Sequence, residues 1–242
     1  MNTVKENLLK LQDEQKQINT KRLFLTQKTN YDLVKGLMEL RSINKFKPSF
    51  VIDNNNRFVF ELMCRYFGED KDFVSMCAGA GIENASLKKG IMLCGVFGTG
   101  KSWMMKLFSI NQRQCFDIVS SKEISEDYRR DKNDDPSQDV LHKYIVEKQN
   151  AFDDPSVFYQ TKRGWCIDDI GAEDLKNNFG NKKNVIGDII EIRYQSGEYG
   201  QSFHATTNLT AAQIDEYYGG RIRSRMREMF NFIELSGVDR RK

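Results

Sequence analysis

Apolar residues near the start of the chain recur with a heptad spacing. The positions are Val4, Leu11, Ile18 and Leu25, and mostly polar residues separate them. This pattern predicts a helix with a narrow apolar stripe, suited to a partner helix or to a second copy of the chain. A helix that lies on its own domain fits the pattern equally well. A further helix is predicted after residues 54–56, because apolar side chains follow Val59 at helical spacing and Gly68 supplies a stop signal.

Short apolar runs alternate with helical stretches from about residue 90 onward. The candidate strands are residues 91–94, 116–119, 165–168, 203–206 and 232–235. Five such strands with intervening helices predict an α/β fold with a mostly parallel sheet covered on both faces. Ligands of these sheets bind at the carboxyl ends of the strands, so polar residues at those ends are candidates for chemistry.

The composition narrows the class of protein. The chain has 242 residues, of which 39% are hydrophobic and 29% charged, enough for a packed core. No apolar run approaches the ~20 residues that cross a bilayer, and the first residues show no signal-peptide pattern, so we expect a cytoplasmic protein without membrane contact. The five cysteines are odd in number and scattered, which supports neither a disulfide framework nor a zinc site.

Charge is unevenly distributed along the sequence. Residues 1–48 carry ten Lys and Arg against five Asp and Glu, and residues 219–242 carry seven against three. Residues 120–160 have the opposite balance, with six basic against ten acidic residues. The basic ends permit an anionic partner such as nucleic acid.

The strongest chemical signal follows the first candidate strand. The sequence GVFGTGKS fits the pattern GxxxxGK[ST], and its residues are Gly95, Val96, Phe97, Gly98, Thr99, Gly100, Lys101 and Ser102. Glycines allow the backbone N–H groups of such a loop to surround phosphate oxygens, and the following helix adds positive potential. We expect Lys101 to reach the β- and γ-phosphates of ATP and the Ser102 hydroxyl to bind Mg²⁺.

Two carboxylates end the third candidate strand, and an amide follows the fourth. Burying Asp168 and Asp169 at a strand end is costly unless a cation or a positioned water needs them. We therefore expect Asp168 to bind Mg²⁺ and Asp169 to orient or activate the attacking water. Asn208 follows the strand at 203–206 and would hold that water or sense the γ-phosphate, whereas His204 is expected to be a packed strand residue.

A basic segment, GRIRSRMR, occupies residues 220–227. On a helix, Arg221 and Arg225 share one face at i, i+4, and unpaired like charges there would favour a phosphate ligand. A solvated basic helix end is the alternative.

Taken together, these motifs resemble the AAA+ ATPases, and more closely the branch with the DnaC-type helicase loaders and the IstB-type transposition helpers. The matching segments are GVFGTGKS, IDDIGAE, ATTNL and GGRIRSRM, in that order, within residues 86–238. The resemblance implies a P-loop NTPase sheet of five parallel strands in the order 5-1-4-3-2, without a C-terminal lid domain. It also implies that Asn208 is the sensor-1 residue and that Arg225, with Arg221 as its companion, is an arginine finger for the ATP of a neighbouring subunit.

This resemblance divides the chain into a helical, partner-binding region at 1–85 and an AAA+ ATPase domain at 86–242. The function it implies is a loader that hydrolyses ATP, with Mg²⁺ as cofactor, while it self-assembles on single-stranded DNA and engages a replicative helicase. An IstB-like helper that acts with a transposase, and a nucleotide-gated scaffold with little turnover, remain alternatives. A small-molecule phosphotransferase is less favoured, because such kinases need a lid of their own.

Overall fold

The computed structural model describes residues 31–44, 50–111, 113–130, 136–145, 148–149, 162–173, 176–178, 181–197, 200 and 202–240. The predicted stripe of Val4, Leu11, Ile18 and Leu25 lies outside these residues. No helix among those described is both long and apolar enough to cross a membrane. All five cysteines carry free thiols.

Nine helices and eight strands follow one another within the described ranges. The helices are α1 (Tyr31–Asn44), α2 (Arg57–Phe67), α3 (Asp72–Gly79), α4 (Lys101–Phe108), α5 (Ser121–Arg130), α6 (Pro136–Ile145), α7 (Val185–Ser196), α8 (Ala211–Tyr218) and α9 (Gly220–Met229). The strands are β1 (Gly90–Cys94), β2 (Phe116–Ser120), β3 (Lys148–Gln149), β4 (Lys162–Ile170), β5 (Lys176–Asn178), β6 (Asn181–Lys183), β7 (Phe203–Thr207) and β8 (Phe230–Glu234).

The main sheet has the order β2-β4-β7-β1-β8, and all of these strands are parallel. The short β3 pairs antiparallel with the start of β4, and β5 and β6 form a separate two-stranded sheet. Counted along the chain, the five parallel strands lie in the order 2-3-4-1-5, which is the predicted order 5-1-4-3-2 viewed from the opposite edge. The predicted fold class is therefore confirmed.

Helices cover both faces of this sheet. Side chains of β1 alternate between the faces: Ile91 and Leu93 join one hydrophobic cluster and Met92 joins another. The first cluster contains buried residues of α1, α2, α3 and α4, and the second contains those of α6, α7, α8 and α9. The described part of residues 1–85 thus packs on the same sheet face as the helix that follows β1.

Helix α2 packs its apolar side into the cluster on this face of the sheet. Its apolar positions fall on one side, and Val59, Leu62, Met63, Tyr66 and Phe67 are all buried. Gly68 ends the helix and donates its N–H to the carbonyl of Cys64, and a Cβ on Gly68 would lie only 2.8 Å from that oxygen. The predicted helix and its end at Gly68 are confirmed.

The last strand begins two residues earlier than the sequence pattern indicates. Phe230 follows α9 directly and already pairs with Gly90, so β8 includes residues that the apolar run at 232–235 does not mark. The carboxyl ends of β1, β2, β4 and β7 meet at one edge of the sheet, because parallel pairing brings all strand ends to the same side.

Candidate nucleotide-binding site

The loop between β1 and α4 has a backbone that glycine alone adopts easily. Gly95, Gly98 and Gly100 have φ angles of +148°, +78° and +99°, in the region that side chains with a Cβ rarely occupy. Gly100 is left-handed immediately before α4, so the chain turns from the loop into the helix at Lys101. This conformation, at a helix N-terminus, is the one that cradles phosphate groups with backbone N–H donors.

Lys101 lies in the centre of this loop. The residue is only 5% exposed. Its ammonium donates to the carbonyl of Gly95 at 2.8 Å, to the carbonyl of Val96 at 2.9 Å and to the side-chain oxygen of Asn208. One buried cation therefore joins the loop after β1 to the residue that follows β7.

A second set of contacts converges on Asp168. The Ser102 hydroxyl donates to Asp168 Oδ1 at 2.9 Å, and the Thr206 hydroxyl donates to the same oxygen at 2.6 Å. A hydroxyl and a carboxylate are hard oxygen ligands of the kind that Mg²⁺ prefers, and Mg²⁺ usually takes its remaining ligands from phosphates and water. Ser102 and Asp168 therefore fit the predicted Mg²⁺ ligands.

Asp169 has an unusual backbone. Its φ of +57° places it in the left-handed region, and the register between β4 and β7 shifts between Ile167 and Ile170. Successive residues of a regular strand point to opposite faces. Here, however, both carboxylates bond to residues at the end of β7, because Asn208 Nδ2 donates to Asp169 Oδ1 at 2.9 Å. Strain of this kind persists where surrounding contacts enforce it, and it is common at functional sites.

Two hydroxyls hold this strained backbone. The Asp169 N–H donates to Thr206 Oγ1 at 2.9 Å, and the Ser121 hydroxyl donates to the Asp169 carbonyl at 2.7 Å. Thr206 is fully buried, and its hydroxyl contacts both carboxylate residues. It donates to Asp168 Oδ1 and accepts the N–H of Asp169. A role for Asn208 was expected from the sequence, but none was expected for Thr206. The sequence signal for Thr206 is a hydroxyl residue in the buried strand that precedes Asn208.

A third carboxyl group, that of Glu173, is buried a few residues after Asp168 and Asp169. Burial raises the pKa of the Glu173 carboxyl, although hydrogen bonds from Tyr218 and the Gly171 N–H oppose the shift. Tyr217 donates to the carbonyl of the same residue. These contacts connect the segment after β4 with the end of α8, immediately before the arginine-bearing helix α9.

Arg221 and Arg225 do not join the network around Lys101. Both form ion pairs with Glu191 of α7, and the Arg225 guanidinium also lies over the Tyr194 ring, 4.9 Å from its centroid. The Arg225 side chain is 13% exposed and that of Arg221 is 75% exposed. The premise that this face carries unpaired like charges is therefore wrong, because Glu191 supplies an acidic partner within the chain. His204 is buried and accepts the N–H of Ile91 at 3.0 Å, as expected of a packed strand residue.

A cavity of about 930 Å³ opens beside the start of the loop. Gly95, Val96 and Asn208 line it on the side of the network, and Ile82, Arg223 and Phe232 line it elsewhere. Arg223 and Arg227 of α9 face this cavity, whereas Arg221 and Arg225 contact α7. Its volume lies in the range of small-molecule sites.

The comparisons with known proteins identify similar structures but no sequence family. No family model matches the chain, and no curated protein matches it. Among solved structures, the chain is similar to the DnaC helicase loader, with a TM-score of 0.43, 16% identity and coverage of 67% of this chain and 89% of that chain. It is also similar to AMPPCP-bound DnaA from Aquifex aeolicus, with a TM-score of 0.45, 14% identity and coverage of 88% of this chain and 51% of that one. The chain thus spans about half of the DnaA chain.

The strand order, the glycine loop after β1 and the two acids at the end of β4 agree with the fold that the sequence resemblance implies, a P-loop NTPase sheet of the AAA+ type.

Proposed function

We propose that this chain is a Mg²⁺-dependent ATPase. The observation that carries the proposal is the hydrogen-bonded network in which Lys101, Ser102, Asp168, Asp169 and Asn208 meet at one edge of the sheet. These are the residue types that P-loop NTPases use to bind phosphate, hold the metal and position water.

The geometry supports a role for each group. The loop N–H groups and Lys101 bind the phosphates, while Ser102 and Asp168 hold the metal. Asp169 lies one residue further and orients the attacking water. Asn208 bonds to both Lys101 and Asp169, so it connects the cation at the γ-phosphate with the group that positions the nucleophile. We assign the nucleoside part of ATP to the cavity beside Gly95 and Val96, whose volume suits a small molecule.

Equilibrium titration with a slowly hydrolysed ATP analogue, with and without Mg²⁺, tests this proposal. Lys101→Ala should lose most of the affinity, because it removes the buried cation at the phosphates. Lys106→Ala is a matched control on the same helix, where the exposed Lys106 ammonium lies over the Trp103 ring. Equal affinities for the wild type and Lys101→Ala would exclude the P-loop as the binding site.

We further propose that the chain acts as a helicase loader, in an assembly where Arg225 reaches the ATP of a neighbouring subunit. The order of the four AAA+ motifs supports this role, as does the placement of Arg225 and Arg221 on the α7 side of α9 rather than toward their own loop. To reach that ATP, Arg225 would have to leave its ion pair with Glu191. Single-stranded DNA and a replicative helicase are the proposed partners, with the basic terminal segments as candidate contacts.

Affinity capture distinguishes the loader from the transposition helper. The full chain should retain a replicative helicase and not a transposase, and deletion of residues 1–30 should abolish retention. A truncation at residue 86 is unsuitable, because α1, α2 and α3 bury their apolar side chains in the cluster shared with α4. Capture of a transposase would support the helper instead, and capture of neither protein would favour a nucleotide-gated scaffold.

A further inference from the structure

The segment after β8 lies directly against the P-loop. The Leu235 N–H donates to the carbonyl of Cys94 at 2.7 Å, and the Arg240 N–H donates to the carbonyl of Gly98 at 3.0 Å. Contact is so close that a Cβ on Gly98 would lie 2.0 Å from the Asp239 carboxylate. We call residues 235–240 the tail; it is hydrogen-bonded to the last residue of β1 at one end and to the loop at the other.

Arg240 extends this contact to the N-terminal helices. Its Nη2 lies 2.8 Å from Asp53 Oδ1, and this bond is the main cause of a lowered pKa for the Asp53 carboxyl. Asp53 in turn organises the start of α2, because its side chain accepts the N–H of Asn55 and its carbonyl accepts the N–H of Arg57. One guanidinium therefore connects the loop-bound tail with the first turn of α2.

Arg240 is also close to the place where phosphates would bind. Its Cδ is 3.7 Å from the position that a Cβ would take on Gly100, the residue before Lys101 at the N-terminus of α4. An arginine side chain extends several ångströms beyond Cδ, so a change of rotamer can bring the guanidinium toward this helix end. The Asp53 and Arg240 side chains are 38% and 25% exposed, and ion pairs this exposed contribute little to stability. An arginine–phosphate contact is a stronger, charge-assisted interaction.

We propose that the Arg240 guanidinium is a nucleotide-binding group for which Asp53 and the phosphates of ATP compete. When ATP occupies the loop, the guanidinium turns from Asp53 toward the phosphates, and the first turn of α2 is released from the tail. Because such coupling is reciprocal, whatever strengthens the Asp53–Arg240 pair weakens ATP binding, and the reverse. Helix α2 packs against α1 and α3, so the exchange conveys nucleotide occupancy to the N-terminal helices. This inference rests on the proposed ATP binding.

Substitutions of Arg240 and of Asp53 should change the affinity for the ATP analogue in opposite directions. Arg240→Gln removes a cation from the phosphates and should weaken binding by about tenfold. Asp53→Asn removes the competing charge but retains an oxygen for the N–H of Asn55, and should strengthen binding by about threefold. Asp70→Asn is the matched control, because Asp70 pairs with Arg65 near the other end of α2 and has no contact with the tail. It should leave affinity unchanged.

Whether Asp53→Asn strengthens or weakens binding of the ATP analogue decides between two roles of the Asp53–Arg240 pair. Stronger binding indicates competition between Asp53 and the phosphates, and weaker binding indicates that the pair only supports the loop. If both variants weaken binding while they unfold at the wild-type temperature, the pair only braces the loop and the proposal is wrong. Unchanged affinity in both variants overturns it as well. Failure of the proposed function is distinct, since the wild type itself would then bind no better than Lys101→Ala.

As a second readout, ATP should speed hydrogen exchange at residues 57–60 in the wild type but not in Arg240→Gln. Equal exchange in the two proteins would contradict the release of α2.

Discussion

Thr206→Val removes one hydroxyl that serves both carboxylate residues, and valine retains nearly the same shape. The change deletes the donor to Asp168 Oδ1 and leaves the part-buried N–H of Asp169 without its acceptor. An orphaned buried donor costs roughly 1–3 kcal/mol, and a hydrogen bond to a charged group is worth a similar amount. We therefore expect the free energy of unfolding to fall by about 2–6 kcal/mol.

The substitution should also weaken the binding of Mg²⁺. Thr206 fixes the orientation of Asp168, a proposed Mg²⁺ ligand, and loss of such an outer partner typically lowers metal affinity or activity by about 10- to 100-fold. The Mg²⁺ concentration for half-maximal nucleotide binding should rise accordingly. Urea unfolding at equilibrium measures the stability, and Mg²⁺ titrations at fixed nucleotide measure the second quantity.

Thr207→Val provides the matched control. Thr207 is equally buried and also makes two hydrogen bonds, but these go to the carbonyl of Ile170 and the N–H of Leu209. It should lose a similar amount of stability and retain the wild-type Mg²⁺ dependence. If the two variants shift the Mg²⁺ requirement equally, or if neither does, then Thr206 does not position a metal ligand.

Two further predictions concern the chemistry and the assembly. Asp169→Asn should bind nucleotide almost as the wild type does but hydrolyse it slowly, whereas Asp168→Asn should also lose Mg²⁺-dependent binding; identical behaviour in nucleotide titrations would contradict this division of roles. Arg225→Ala and Lys101→Ala should each be inactive as ATPases, and mixing them should restore part of the activity, because an intact loop then meets an intact finger. No recovery in mixed assemblies that demonstrably form would place Arg225 within its own subunit.

The fold and the glycine-dependent turn after β1 could be predicted because local patterns encode them. Each of the five strands contains a short apolar run, and the backbone of the P-loop needs its glycines whatever surrounds it. Parallel pairing then brings Asp168, Asp169 and Asn208 to one edge without further information. The end of α2 at Gly68 was equally predictable, since it depends on residues only four positions apart.

Contacts between distant segments could not be predicted in this way. The pairing of Arg225 with Glu191 depends on how α9 packs on α7, and the bond between Arg240 and Asp53 joins residues 187 positions apart. Thr206 was missed for a related reason. Its role appears only when the bulge in β4 turns both carboxylate residues toward β7.

Release of inorganic phosphate from ATP tests the central claim most directly. It should be followed at several protein concentrations, with Mg²⁺ and single-stranded DNA present, for the wild type, Lys101→Ala and Lys106→Ala. The wild type and Lys106→Ala should release phosphate at a rate that rises more than linearly with concentration, and Lys101→Ala should release none above the background. If the folded wild type releases no more phosphate than Lys101→Ala at every concentration, then the network of Lys101, Ser102, Asp168, Asp169 and Asn208 is not an ATPase centre.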